Sequence, residues 1–177
     1  MMFFSRKQRN SENKNSVKKE VDSEDFAFIG KVLLVVDGSG PSRDASNFAV
    51  DFARQLKCKL DAAFVVDTAI LDYLQQMRIF VKEERLELEQ DLELKGKRYL
   101  SAVQELGEKY NIPVQTHICQ GRFHQTILSL AKELEVDLLI IGGWKHEIKQ
   151  KNTSSVERQL VMDLAECPVI VVKKSTT

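Results

Sequence analysis

The feature that most constrains the fold is a short apolar segment, Lys31–Val36, that runs directly into an acid and a glycine-rich turn. Asp37 follows the apolar run, and the turn Gly38–Gly40 leads into a helical pattern over Ser42–Leu56. Buried parallel strands have this continuous apolar character, and α/β proteins build ligand sites in the turns that follow such strands. The segment therefore predicts a buried strand with Asp37 at the carboxyl edge of a parallel sheet.

The alternation of strand-like and helical segments continues along the chain. Four further strands are predicted, at Lys59–Val66, Val114–Cys119, Asp137–Ile141 and Pro168–Val172. Helical periodicity separates them in three segments: about Thr68–Tyr110, Phe123–Leu134 and Ser154–Ala165. Crossover connections of this length give parallel strands and right-handed connections. The predicted fold class is therefore α/β, an open five-stranded parallel sheet with helices on both faces.

Composition excludes several classes of protein. The chain has 177 residues, of which 26 are Lys or Arg and 26 are Asp or Glu. This balance gives no reason to expect a nucleic-acid partner. The apolar runs are too short for a transmembrane segment, and the first residues lack the apolar core of a secretory signal. We therefore expect a cytoplasmic protein whose cysteines are buried free thiols, at Cys58, Cys119 and Cys167.

Residues 1–25 differ in composition from the rest of the chain. They are polar and almost free of aliphatic side chains after Phe4, and a basic stretch through Lys19 precedes an acidic one. Such a segment buries too little apolar surface to order itself. We predict a disordered tail at 1–25 and one folded domain at 26–177. In the alternative, Phe3 and Phe4 beside the basic cluster contact a membrane or a partner.

Two positions near the first strand leave alternatives open. The turn begins like a dinucleotide fingerprint, but Arg43 stands where the third glycine is needed, and no Gly-Lys-Ser/Thr follows. The glycines either permit a tight turn that Ser39 or Ser42 caps, or bring backbone amides to a phosphate. Asp37 either accepts hydrogen bonds from an adenine amino group or a ribose hydroxyl, or caps the neighbouring helix.

The fourth and fifth predicted strands are joined through a second candidate region. Gly142 and Gly143 end the fourth strand, where the backbone approaches either a ligand or another strand. Thr153, Ser154 and Ser155 begin the last helix, where hydroxyls and free N–H groups form either an anion site or an ordinary N-cap. Both regions are expected at the carboxyl edge of the sheet.

Enzymatic chemistry has no support in the sequence. The histidines, His117, His124 and His146, have no carboxylate or cysteine at metal-ligand spacing. A Gly-x-Ser-x-Gly nucleophile elbow is absent from the sequence. We therefore expect a binding protein with no catalytic residues and no metal site.

With these segments placed, the chain resembles a universal stress protein domain from about Phe26 to Lys174. The resemblance rests on five blocks: Lys31–Ser39, Phe64–Asp67, the Gly121 turn, Val136–Gly142 and Cys167–Val172. It implies a five-stranded parallel α/β sandwich that is usually dimeric through the last strand. Many members bind ATP or another adenine nucleotide, others bind none, and their roles in stress survival are regulatory.

The resemblance also implies where a nucleotide would bind. The acid that holds adenine in the family would be Asp37, and the residue whose backbone reads the adenine edge would be Val65. The family's phosphate loop runs Gly, two residues, Gly, nine residues, Gly, then Ser or Thr. Here it begins at Gly142, but its second glycine falls on Lys145.

The end of that loop depends on its length. A strict count places the third glycine on Ser155 and the hydroxyl on Val156, which has none. In a loop one residue shorter, which we prefer, Ser154 takes the glycine position and Ser155 supplies the hydroxyl. Side chains at Lys145 and Ser154 enter space that backbone amides need to close on a triphosphate. This favours weak or absent ATP binding.

The sequence therefore predicts a regulatory or binding module of the stress response with a degenerate adenine-nucleotide site. The site would comprise Asp37, Val65, Gly142, Gly143, Lys145, Ser154 and Ser155. In the alternative, Lys145 compensates with its charge, and the protein is an ATP or AMP sensor with at most slow ATPase activity. Unprotected strand edges tend to pair, so we expect an antiparallel homodimer through Pro168–Val172. A third hypothesis is a scaffold whose basic tail recruits a protein partner or a membrane.

Overall fold

The computed structural model describes residues 29–79, 82–143 and 153–173. Its strands, in chain order, are β1 (Lys31–Val36), β2 (Lys59–Asp67), β3 (Val114–Gly121), β4 (Leu138–Gly142) and β5 (Val169–Val172). They form one sheet in the order β3-β2-β1-β4-β5, in which every neighbouring pair is parallel. The predicted parallel α/β fold is thus confirmed, with β1 in the centre.

Helices cover both faces of this sheet. They are α1 (Gly40–Leu56), α2 (Thr68–Gln76), α3 (Lys82–Lys109), α4 (Phe123–Glu133) and α5 (Thr153–Leu164). Buried residues of α1 and α3 share one core cluster, and those of α4 and α5 share another on the opposite face. The chain therefore crosses one face on its way to β2 and β3, and the other on its way to β4 and β5.

The central strand contributes to both cores because successive side chains of a strand point to opposite faces. Val32 and Leu34 pack under α1 and α3, whereas Leu33 and Val35 pack under α4 and α5. Each fully buried aliphatic side chain contributes about 1.5–3 kcal/mol relative to an exposed one. A slip of one residue would exchange the side chains of the two cores, which close packing on both faces disfavours.

The helical region predicted over about Thr68–Tyr110 comprises two helices in the structure, α2 and α3, and no break between them was predicted. Asp67 caps α2, and the helix ends at Gln76, close to a left-handed backbone at Arg78 with φ of 56°. A left-handed residue stops a helix, but it is usually glycine or asparagine and is easily missed when it is arginine. Helical periodicity on both sides of the break made the two helices look continuous.

Several predictions concern residues outside those that the structure describes. They include the tail at 1–25, Lys145 and His146. Among the described residues, no helix is both long enough and apolar enough to cross a bilayer. The three cysteines are free thiols, with Cys58 buried and the other two half-buried.

Candidate functional site

The candidate site lies at the carboxyl edge of the sheet, where β1 and β4 are neighbours. The connections from these two strands leave on opposite faces, since α1 follows β1 and α5 follows β4. In open α/β sheets, ligands bind in the crevice that such a divergence creates. Asp37 directly follows β1, and Gly142 ends β4. The structure therefore places these two predicted residues at the expected position in the fold.

The turn after β1 is held by its own hydrogen bonds. The Ser39 backbone N–H donates to Asp37 Oδ1 over 2.8 Å, and the Asp37 N–H donates to Ser42 Oγ over 3.1 Å. Ser39 is the N-cap of α1, because its hydroxyl accepts from the Ser42 N–H over 3.2 Å. Gly38 has φ of 76°, and the Tyr99 ring lies where a side chain at that position would stand. The turn is thus tight and internally capped.

The second oxygen of Asp37 has a charged partner. Arg158, in α5, forms an ion pair through Nη2 with Asp37 Oδ2, and the side chains are only 14% and 22% exposed. Burial lowers the pKa of the Arg158 guanidinium, although an arginine stays protonated in proteins. The pair joins the first turns of α5 to the end of β1. Sequence reasoning missed Arg158, because nothing in its spacing connects it to Asp37.

Gly142 is packed against another segment of the chain. A Cβ atom there would lie 2.7 Å from both the Pro41 carbonyl carbon and the Ser42 backbone nitrogen. The next glycine, Gly143, donates its N–H to the Val172 carbonyl over 2.7 Å. At Gly143 the backbone therefore approaches another strand, β5, whereas at Gly142 it approaches the first turn of α1.

Val65 lies beside the end of the central strand. The pairing of β2 with β1 ends where Phe64 faces Val36, but its pairing with β3 continues to Asp67. Val65 is therefore the first residue of β2 beyond β1, and its side chain is 7% exposed. Ser154 and Ser155 belong to the first turn of α5, the helix that carries Arg158. The backbone thus brings these predicted residues to one edge.

A second polar cluster at the same edge was not predicted. His124, at the start of α4, contacts Glu157 of α5, with 2.6 Å between Nδ1 and Oε2. The His124 backbone N–H donates to the same oxygen over 3.1 Å. Burial opposes the charge of Glu157, but these hydrogen bonds outweigh it and lower the pKa of the carboxyl. The contact holds the first turns of the two helices together.

Asp67 completes this cluster from the end of β2. Its Oδ1 accepts from the Ala69 N–H over 3.0 Å, which caps α2. Burial raises the pKa of the Asp67 carboxyl, and the negative charge of Glu157 adds to this rise. Arg122 and His124 act in the opposite direction. Charges of both signs therefore face one another across the ends of β2 and β3.

A third polar pair lies inside the sheet. His117 of β3 contacts Asp61 of β2, with 2.7 Å between Nε2 and Oδ1, and the Asp61 side chain is 4% exposed. These residues lie within their strands rather than at the carboxyl edge. Among the residues that the structure describes, no group of three His, Cys, Asp or Glu side chains could hold a metal ion.

The described residues also form an open groove of about 490 Å³ at the amino edge of the sheet. It lies between the ends of α4 and α5, and Lys132, Glu166 and Cys167 are among its lining residues. This position is at the opposite end of the strands from Asp37. The groove is therefore separate from the candidate site.

Comparison with known proteins agrees with this architecture. The model of the universal stress protein family matches residues 29–173. The chain is 27% identical over 146 residues to Universal stress protein MJ0531 of Methanocaldococcus jannaschii, which covers 81% of this chain and 82% of the relative. It is 26% identical over 149 residues to Universal stress protein YxiE of Bacillus subtilis, covering 82% of this chain and 100% of the relative.

Solved structures show the same fold. The universal stress protein UspA from Lactobacillus plantarum is 25% identical, with a TM-score of 0.67 over 82% of this chain and 99% of that one. A universal stress protein family protein from Arabidopsis thaliana with AMP bound is 18% identical. It has a TM-score of 0.58 over 83% of this chain and 93% of that one. By the match of the family model over most of its length, this chain belongs to the universal stress protein family.

Proposed function

We propose that this protein is a regulatory binding module of the stress response whose adenine-nucleotide site is degenerate. It acts in the cytoplasm as a homodimer and binds ATP weakly or not at all. The observation that carries the proposal is the state of Asp37, whose two carboxylate oxygens are already engaged by Ser39 and Arg158. An adenine amino group would have to compete with these contacts.

The sequence of the loop after β4 supports the same proposal. The family pattern has a second and a third glycine, and the resemblance gives these positions to Lys145 and, in the shorter loop that we prefer, to Ser154. Backbone amides close on phosphate oxygens most easily where no side chain intervenes. Together with the ion pair at Asp37, these substitutions weaken both the adenine end and the phosphate end of the site.

Calorimetric titration with ATP, ADP and AMP, with and without magnesium, tests the proposal. We expect a Kd for each nucleotide weaker than about 1 mM, which corresponds to a binding free energy of about −4 kcal/mol. Circular dichroism and sedimentation of the same sample confirm that it is folded and report its assembly. A micromolar affinity of the unaltered protein for ATP would contradict the degenerate site.

The second candidate function is a nucleotide sensor with at most slow ATPase activity. It is supported by the AMP bound in the Arabidopsis structure and by the adenine positions that the resemblance gives to Asp37 and Val65. In that case Lys145 replaces lost backbone contacts with a charge-assisted bond to phosphate. The sensor predicts micromolar binding that Asp37→Ala abolishes, whereas the degenerate site predicts no such binding in either protein.

A further inference from the structure

We propose that Arg158 determines the nucleotide affinity of this site, because its ion pair with Asp37 occupies the carboxylate that an adenine base would need. This inference rests on the proposed function, since it assigns the weak binding at the adenine end to one residue of the same site. The carboxylate that would accept from adenine is present at Asp37, but Arg158 occupies it. Removing the block should therefore restore binding of the base.

The two oxygens of Asp37 have different partners. Oδ1 accepts from the Ser39 N–H within the turn, so it is part of the cap structure at the start of α1. Oδ2 faces α5 and pairs with Nη2 of Arg158. Removal of the guanidinium would leave Oδ1 satisfied by the turn and would free Oδ2. An adenine amino group is a donor that a freed carboxylate oxygen can accept.

Competition at Oδ2 is unfavourable for a base. The carboxylate acceptor is charged in both cases, but the guanidinium adds an opposite charge to the hydrogen bond, whereas the adenine amino group is neutral. The Arg158 side chain is also only 14% exposed, so a base that displaced it would leave a cation with little access to water. The ion pair is therefore stronger than the interaction that would replace it.

Arg158 is held at this position by its helix. Its neighbour Glu157 accepts two hydrogen bonds from His124, which fixes the first turns of α5 against α4. Arg122, another cation near this edge, is exposed, and its charge acts on Asp67 and Glu157. Arg158 is thus the cation that the structure pairs with Asp37.

Adenosine is the appropriate probe, because it carries the base and ribose without phosphate charges. Calorimetry would compare the unaltered protein with Arg158→Met, whose side chain is of similar length but has no charge and no donor. We expect Arg158→Met to bind adenosine at least tenfold more tightly than the unaltered protein. The gain should disappear in Asp37→Ala/Arg158→Met, because it depends on the freed carboxylate.

Arg54→Met is a matched control, because Arg54 also pairs with an aspartate, Asp51, on the exposed surface of α1. It should leave adenosine binding unchanged. An adenosine affinity of folded Arg158→Met within twofold of the unaltered protein would overturn the proposal, and Arg158→Leu, which also lacks a charge and a donor, provides the same test if the methionine variant does not fold. The proposed function is judged separately, by ATP binding to the unaltered protein.

Discussion

At the scale of single residues, Gly142 shows how a position in a family motif can have a packing role in one chain. The resemblance assigns Gly142 to the start of a phosphate loop. In the structure, the backbone of Pro41 and Ser42 lies so close that a Cβ atom would approach both at 2.7 Å. The atoms in the way belong to the first turn of α1 and cannot rotate aside. The lack of a side chain at Gly142 therefore lets α1 begin against the end of β4.

Gly142→Ala should destabilise the fold by about 1–3 kcal/mol, the usual cost of forcing an extra carbon into a packed interior. Urea unfolding followed by circular dichroism measures this loss. Gly40→Ala is the matched control, because Gly40 is exposed at the start of the same helix and an added Cβ would meet nothing within 4 Å. If Gly142→Ala is as stable as the control, the close approach of α1 to β4 is wrong.

The residues of the site differ in how far the sequence predicts them. The apolar run of β1 ends at Val36, so the position of Asp37 at the sheet edge follows from the length of one strand. Its partner Arg158 comes from a helix near the other end of the chain. Contacts of this kind depend on how elements pack, and no local pattern in the sequence records them. The same holds for His124 and Glu157.

At the scale of elements, the two helices on one face of the sheet are joined at their first turns by a polar contact. Glu157 of α5 accepts from both the ring and the backbone of His124 of α4. The titratable and charged groups that face Glu157 are His124, Arg122 and Asp67. Together, the hydrogen bonds and nearby charges outweigh burial and lower the pKa of Glu157. The Glu157 carboxyl therefore binds a proton less tightly in the folded protein than in the unfolded chain.

This contact predicts a pH dependence with a definite sign. The ionised Glu157 carboxylate stabilises the folded state at every pH above the carboxyl's ordinary pKa of 4.5. This stabilisation is lost as the pH falls through the lowered pKa that Glu157 has in the folded protein. Glu157→Gln should therefore lower the free energy of unfolding by about 1–2 kcal/mol at pH 7. The difference from the unaltered protein should shrink in strongly acidic solution.

Thermal or urea unfolding at several pH values between neutral and strongly acidic measures this difference. Glu166→Gln is the control, because Glu166 pairs with Lys132 where both side chains are at least 75% exposed, and such pairs contribute little. It should reproduce the unaltered profile. A Glu157→Gln protein whose stability differs from the unaltered one by the same amount at every pH would show that the charge of Glu157 does not stabilise the fold.

Among the elements, the strands were predicted more accurately than the long crossover between β2 and β3. Apolar runs bounded by turns mark the strands, and the structure differs from the predicted bounds by at most two residues at an end. The break between α2 and α3 was missed, because the residue with the left-handed conformation is Arg78 and no glycine or proline marks the break in the sequence.

At the scale of the whole molecule, the position of β5 at the edge of the sheet bears on assembly. β5 is an edge strand, and each of its residues is only half-buried in the single chain. The carbonyls of Pro168 and Val172 accept from Leu139 and Gly143 at the β4 side. Because backbone groups alternate along a strand, those of Val169 and Val171 point away from β4. Within the described ranges no further strand lies beside β5 on that side, so these outward groups can pair with a second copy.

We therefore expect an antiparallel homodimer in which the β5 strands of two copies pair edge to edge. Val171→Pro should convert it to a folded monomer, because proline removes an outward N–H but leaves the hydrogen bonds to β4 in place. Val171→Thr is the matched control, since it retains the N–H and a β-branched side chain and should remain dimeric. Sedimentation velocity at micromolar concentration separates the two states, and circular dichroism confirms that the proline variant is folded. A dimer that persists in Val171→Pro would place the interface elsewhere, and a monomeric unaltered protein would exclude the pairing at that concentration.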